Sequence, residues 1–173
     1  MTFEASPPFS EKRSPERVVD SLNRVLNIQT EIIHRYGGDV DKYVGDEVVA
    51  LFTGEEQGGN ACRSAVAIQS EMSAGKNTRY DSLQVGIGIN TGEVILGMIG
   101  SEKRADFTVI GDPVNLGSRL CSAAEPGAIL ISNSTFQQVK DLVSVSKPYR
   151  LKAKGKADFQ LVYFLRGLAA EGL

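Results

Sequence analysis

Helical segments in this chain alternate with pairs of short strands joined by tight turns, not with single strands. That pattern predicts an α+β domain: a mixed, mainly antiparallel sheet covered on one face by helices. Val40 to Val44 and Val48 to Phe52 read as one hairpin. Gly45 suits the first position of a type II′ turn between them, with Asp46 at the tip. Ser82 to Asn90 alternates its apolar residues and turns at Thr91-Gly92 into Val94 to Ile99, predicting a second hairpin. Gly100 to Asp106 reads as a polar loop and Phe107 to Ile110 as a short strand.

The first helix is announced by Ser14-Pro15-Glu16, with serine as N-cap, proline at the first helical position and an acid in the first turn. Val18, Leu22, Val25, Leu26, Ile32, Ile33 and Tyr36 keep helical spacing, with a break expected near Asn27, and Gly37-Gly38 ends the helix. Further helices are predicted from Ala61 to Met72, from Asp112-Pro113 to Ala124 and from Ser134 to Val139. Strands are predicted at Ala128 to Ile131 and, in the tail, near Leu142 to Val145, Tyr149 to Ala153 and Phe159 to Leu165. Residues 1–13 lack periodicity, and Pro7-Pro8 excludes a regular helix or central strand there. The expectation is an irregular N-terminal remnant over 1–13 and one domain over 14–173.

Composition narrows the function classes. A chain of 173 residues with 42% hydrophobic and 23% charged residues has room for a sizeable core. The net charge of -2 advertises no nucleic-acid surface, so a small anionic substrate requires a local basic patch. The longest apolar run, Val48 to Phe52, is far short of a membrane span, and no secretion signal opens the chain. Cys62 and Cys121 fall in predicted helices without metal-ligand spacing, as expected of reduced, buried thiols in a cytoplasmic protein.

Several residues suit chemistry on phosphates. Asn115 and Arg119, four apart in the helix opened by GDPVNLGSRL, share one face and suit phosphate oxygens or a ribose. The same pair also suits a solvated polar stripe. Lys152, Lys154 and Lys156 alternate and, in a strand, share one face; such lysines suit a polyphosphate or a soluble edge strand. Lys42, four residues before Asp46, reads either as a surface ion-pair partner or as a substrate-selecting group. His34, the one histidine, sits near a helix end, and no Ser-His-Asp or Cys-His pattern is credible.

Together, VDKYVGDEVVALF, VGIGINTGEVILGMIGSEKRADFTVIGDPVNLGSRL and LKAKGKADFQLVYFL resemble the catalytic domain of class III nucleotidyl cyclases. The resemblance runs from Phe9 onward, and IGDPVNLGSR after a GxNxG turn is its most specific block. It implies a ferredoxin-like cyclase fold and an active site shared between two cyclase domains, as in a homodimer. It implies conversion of ATP to 3′,5′-cyclic AMP and pyrophosphate with Mg²⁺ or Mn²⁺. Asp46 matches a metal aspartate, Lys42 and Thr108 the adenine-reading positions, Asn115 and Arg119 the ribose and transition-state pair, and Lys154 the outer-phosphate lysine. A regulatory domain upstream is implied as well. Alternatives are a guanylate cyclase, disfavoured by Lys42, and a non-catalytic cyclase homology domain that binds nucleotide or a partner. A diguanylate cyclase is disfavoured because YGGDV and VGDEV are not GGDEF.

The start of the chain departs from the family pattern FxDIxGFTxxSE. Phe9-Ser10-Glu11 match its end, Thr2 falls near the second metal aspartate, and Glu4 is the nearby acid. A missing or altered first strand, and weak activity, are therefore expected.

Overall fold

The computed structural model describes residues 2–5, 14–74, 83–152 and 159–169. Its strands are β1 (Thr2–Ala5), β2 (Gly38–Val44), β3 (Glu47–Phe52), β4 (Val85–Ile89), β5 (Ile95–Ser101), β6 (Arg104–Ile110), β7 (Ile129–Ser132), β8 (Val143–Val145), β9 (Tyr149–Leu151) and β10 (Gln160–Leu168). The helices are α1 (Pro15–Arg35), α2 (Gln57–Ala74), α3 (Asp112–Ala123) and α4 (Asn133–Val139). The main sheet runs β2-β3-β1-β4-β7-β10-β8, with β9 also on β10, and β5 and β6 form a separate two-stranded sheet. Among the described pairs, β4 with β7 is parallel and the others are antiparallel.

The first strand is present, contrary to the expectation of an irregular start. β1 lies between β3 and β4, with Thr2 opposite Val49 and Gly88. It ends at Ala5, before Pro7-Pro8, so the prolines take no place in its ladder. Four residues are too few for a periodic signal; pairing on both edges is what makes them a strand.

Helices cover both faces rather than one. Val85, Ile87 and Ile89 of β4 join Val25, Ile33, Ile68, Val48 and Ala50 in the core beneath α1 and α2. On the other face Leu116 and Leu120 of α3 pack with Leu130 and Val162. The alternate residues of β4 there are Gly86 and Gly88. A Cβ on Gly88 would stand 2.3 Å from the Cys121 backbone nitrogen and 2.4 Å from the Gly117 carbonyl oxygen. Two hydrogen atoms in place of side chains let α3 lie directly on the strand.

Other expectations are adjusted by tertiary contacts. α1 runs without a break at Asn27, and His34 Nδ1 hydrogen-bonds the Gly38 carbonyl at 3.0 Å beyond the helix end. β4 and β5 do not form a hairpin. After β4, Asn90 donates to the Pro113 carbonyl and Ser134 donates to the Thr91 carbonyl, so the chain is led toward α3 and α4. β5 instead pairs with β6 through a turn at Glu102-Lys103, inside the segment expected to be a polar loop. Cys62 and Cys121 are free and buried as expected, and burial pushes the Cys62 thiol up to about 12.

Candidate active site

The β2–β3 hairpin closes with Val44 opposite Glu47. Gly45 has φ +64°, the left-handed conformation that glycine adopts without strain. Asp46 is exposed at the tip. Among the described residues its carboxylate has no hydrogen bond or ion pair, and it stands available to a ligand.

Lower in β2 the ladder slips between Val40 and Lys42, leaving Asp41 as an extra residue. A bulge of this kind re-aims side chains that plain alternation would send to opposite faces. Here both Asp41 and Lys42 reach Thr108 of β6. Lys42 Nζ donates to Thr108 Oγ1 and pairs with Asp41 Oδ2 at 3.1 Å. The Thr108 hydroxyl donates to Asp41 Oδ2 at 3.0 Å, and the Val109 backbone N–H donates to Asp41 Oδ1 at 3.3 Å. The Asp41 side chain is only 4% exposed, against 39% for Lys42. Lys42 thus meets Thr108 rather than Asp46. The reading of the sequence missed Asp41, whose one signal is an acid directly before the lysine.

α3 carries Asn115 exposed and Arg119 half-buried, one turn apart. Arg119 Nη1 is buried with no partner among the described residues. Ser118, between them on the helix, donates to Glu47 Oε1 at 3.0 Å and fastens α3 beside the base of the hairpin. Ser118 and Glu47 were also missed, because nothing in their spacing marks a cross-fold contact. Lys154 and Lys156 lie outside the described residues; Lys152 is exposed just past β9.

The β1 register bears on the second acidic position. Thr2 is buried, two steps from the hairpin end, with Val49 opposite. The β1–β3 pairing ends with Phe3 opposite Val48, and Glu4 continues β1 opposite Gly86 of β4. Along this antiparallel pair Glu4 lies nearer than Thr2 to the hairpin end of β3. A cavity of about 130 Å³ lies toward the other end of β3, among Phe52, Thr53 and Asn90; Thr2 lines it, while Lys42, Asp46, Thr108, Asn115 and Arg119 do not.

The chain is similar to known proteins over nearly all its length. The family described as "Adenylate and Guanylate cyclase catalytic domain" matches residues 3–167. The guanylyl cyclase Cya2 superposes with a TM-score of 0.90 at 31% identity, covering 98% of this chain and 91% of that one. The adenylyl cyclase CyaB from P. aeruginosa superposes with a TM-score of 0.89 at 30% identity, covering 99% and 94%. An adenylate cyclase of Anabaena cylindrica is 32% identical over 167 residues, which are 86% of this chain and 32% of that protein. The chain spans a third or less of the length of such curated relatives. Those matches agree with a sheet that carries α3 against its glycine-bearing face: the chain belongs to the adenylate and guanylate cyclase catalytic domain family.

Proposed function

We propose that this domain closes ATP to 3′,5′-cyclic AMP with release of pyrophosphate, at a site completed by a second copy of the domain. The observation that carries the choice of ATP is the Lys42–Thr108 contact. A lysine and a hydroxyl held together at one point suit the ring nitrogen and the amino group of adenine. Similarity to a guanylyl cyclase as well as to adenylyl cyclases makes the base the point to be tested.

In the reaction the ribose 3′ oxygen bonds to the α-phosphorus, the bond from that phosphorus to the bridging oxygen of pyrophosphate breaks, and the hydroxyl proton leaves. Arg119 supports this reading through its buried, unpartnered Nη1. Such a donor costs about 1–3 kcal/mol while unsatisfied, and a phosphate oxygen would satisfy it and gain charge stabilisation. Asn115, exposed one turn earlier, is proposed to orient the ribose, and Lys154 to hold the outer phosphates.

Mg²⁺ or Mn²⁺ fits the donor set. Among the described residues no cluster of three or more His, Cys, Asp or Glu side chains could hold a metal alone. Mg²⁺ commonly takes only one or two carboxylates and completes its shell with phosphate oxygens and water. Asp46 and, from its strand position, Glu4 are the proposed carboxylates. When bound, the ions lower the pKa of the attacking hydroxyl and neutralise the leaving group.

The second copy is proposed to dock along the β5–β6 arm. Ile95 is 74% exposed, Met98 64% and Phe107 65%, on a two-stranded sheet apart from the main one. An apolar patch of this kind marks an interaction surface. The deciding experiment incubates the purified chain with Mn²⁺ and either ATP or GTP and resolves the cyclic products. Cyclic AMP is the expected main product. Predominant cyclic GMP would overturn the choice of base, and neither product, with nucleotide still bound, would favour a non-catalytic homology domain.

A further inference from the structure

The bulged residue Asp41 is buried, charged and absent from the roles proposed so far. It accepts from two groups of β6, the Thr108 hydroxyl at 3.0 Å and the Val109 N–H at 3.3 Å, and pairs with Lys42 at 3.1 Å. A hydroxyl has one proton and two lone pairs, whereas a carboxylate only accepts. The Thr108 proton is therefore committed to Asp41. One of its lone pairs faces the Lys42 ammonium. What Thr108 retains for a ligand is an acceptor. Lys42 has three protons, and with Thr108 and Asp41 each engaging one, it retains a donor.

We propose that Asp41 is a positioning residue that sets base specificity: by taking the Thr108 proton it fixes the pair as donor at Lys42 and acceptor at Thr108. This rests on the reading of Lys42 and Thr108 as the base-facing pair. A 6-aminopurine offers the complementary pattern, an acceptor ring nitrogen beside a donor amino group. A 6-oxopurine offers the reverse and sets donor against donor and acceptor against acceptor. A site built to hydrogen-bond one pattern rejects the other because polar groups are left unpaired. Without Asp41 the hydroxyl rotates freely and donates to a 6-oxo group equally well. The carboxylate acts through Thr108 and Lys42 and need not touch the base.

The test is Asp41→Asn in the full chain. An asparagine keeps the shape, accepts from the Val109 N–H through its oxygen and offers its NH₂ to Thr108, which reverses the hydroxyl. Two ratios are read, ATP over GTP in kcat/KM with Mn²⁺, and ATP over GTP in displacement of a ribose-labelled fluorescent ATP. The expected result is a fall of about tenfold or more in both ratios, through a weaker KM for ATP and a stronger one for GTP. In a Thr108→Val background, Asp41→Asn should change neither ratio further. A parallel fall for both nucleotides indicates a structural role only and overturns the inference, as does an unchanged ratio. If Asp41→Asn does not fold, Thr108→Val against Thr108→Ser decides: equal ATP-over-GTP ratios in the two overturn the proposal, and retention by serine alone supports it. Preference for GTP in the unmodified chain defeats the proposed function instead, while ATP preference untouched by Asp41→Asn defeats only this inference.

Discussion

Ser118 of α3 donates a 3.0 Å hydrogen bond to Glu47, the residue that follows Asp46 out of the hairpin turn. Arg119 is next to one end of this contact and Asp46 next to the other. The bond therefore sets the register between the helix that carries the cation and the hairpin that carries the acid. Hydrogen bonds to a charged group contribute roughly 1.5–3 kcal/mol when well sheltered, and both partners here are half-buried. Ser118→Ala should cost about 1 kcal/mol in urea unfolding and lower kcat several-fold with KM little changed. Wild-type stability together with wild-type turnover would make the contact incidental.

Asp46 and Arg119 are proposed to serve different copies of a shared site. Asp46→Asn and Arg119→Ala should each lower turnover by about 10²–10³, the scale for one preorganised contact in a charged transition state. Mixed in equal amounts, the two inactive chains should recover about a quarter of the unmodified rate. Half of the dimers then pair one chain of each kind, and each such dimer holds one intact site. Recovery should vanish when both chains also carry Phe107→Glu on the exposed arm. An absence of recovery from chains shown to mix by sedimentation would rule out the shared site.

The β1 register separates two acid-or-threonine candidates. Glu4→Gln should raise the Mn²⁺ concentration needed for half-maximal turnover and lower kcat by about tenfold or more, as removal of a metal carboxylate does. Thr2→Val keeps the shape of a buried strand residue, removes the hydroxyl and should leave the metal requirement unchanged. Direct titration of Mn²⁺ by its electron paramagnetic resonance signal reads the same difference without turnover. Equal metal dependence of Glu4→Gln and the unmodified chain would remove Glu4 from the proposed ligand set.

Much of this arrangement was legible from local pattern. The hairpin around Gly45-Asp46, α1 from Ser14-Pro15 and the α3 block follow from turn chemistry, capping residues and helical spacing. What period alone does not supply is partnership. Val94 to Ile99 reads as a strand, but its pairing with β6 rather than β4 depends on contacts of Asn90 and Thr91 with Pro113 and Ser134. β1 was hidden because its four residues gain their order from two neighbours distant in sequence. The site was legible in Lys42, Asp46, Thr108, Asn115 and Arg119 as candidates through family resemblance. Asp41 was not, since only a bulge turns it to the same side as Lys42.

The glycines of β4 decide whether α3 can occupy its place at all. Val85, Ile87 and Ile89 fill the core beneath α1 and α2, so the opposite face of the strand is left to Gly86 and Gly88. At Gly88 the nearest atoms to an added Cβ are backbone, the Cys121 nitrogen at 2.3 Å and the Gly117 oxygen at 2.4 Å. Backbone cannot swing aside as a long side chain can, so the helix itself has to lift. Gly88→Ala should cost about 1–3 kcal/mol in urea unfolding, the range for overpacking a well-filled interior. Turnover should fall further than stability, because lifting α3 displaces Asn115, Arg119 and the Ser118–Glu47 bond together. Gly97→Ala is the control: nothing lies within 4 Å of a Cβ there, and its stability should stay within about 0.5 kcal/mol of the unmodified chain. A Gly88→Ala chain as stable as Gly97→Ala would mean that α3 does not rest on β4 in solution.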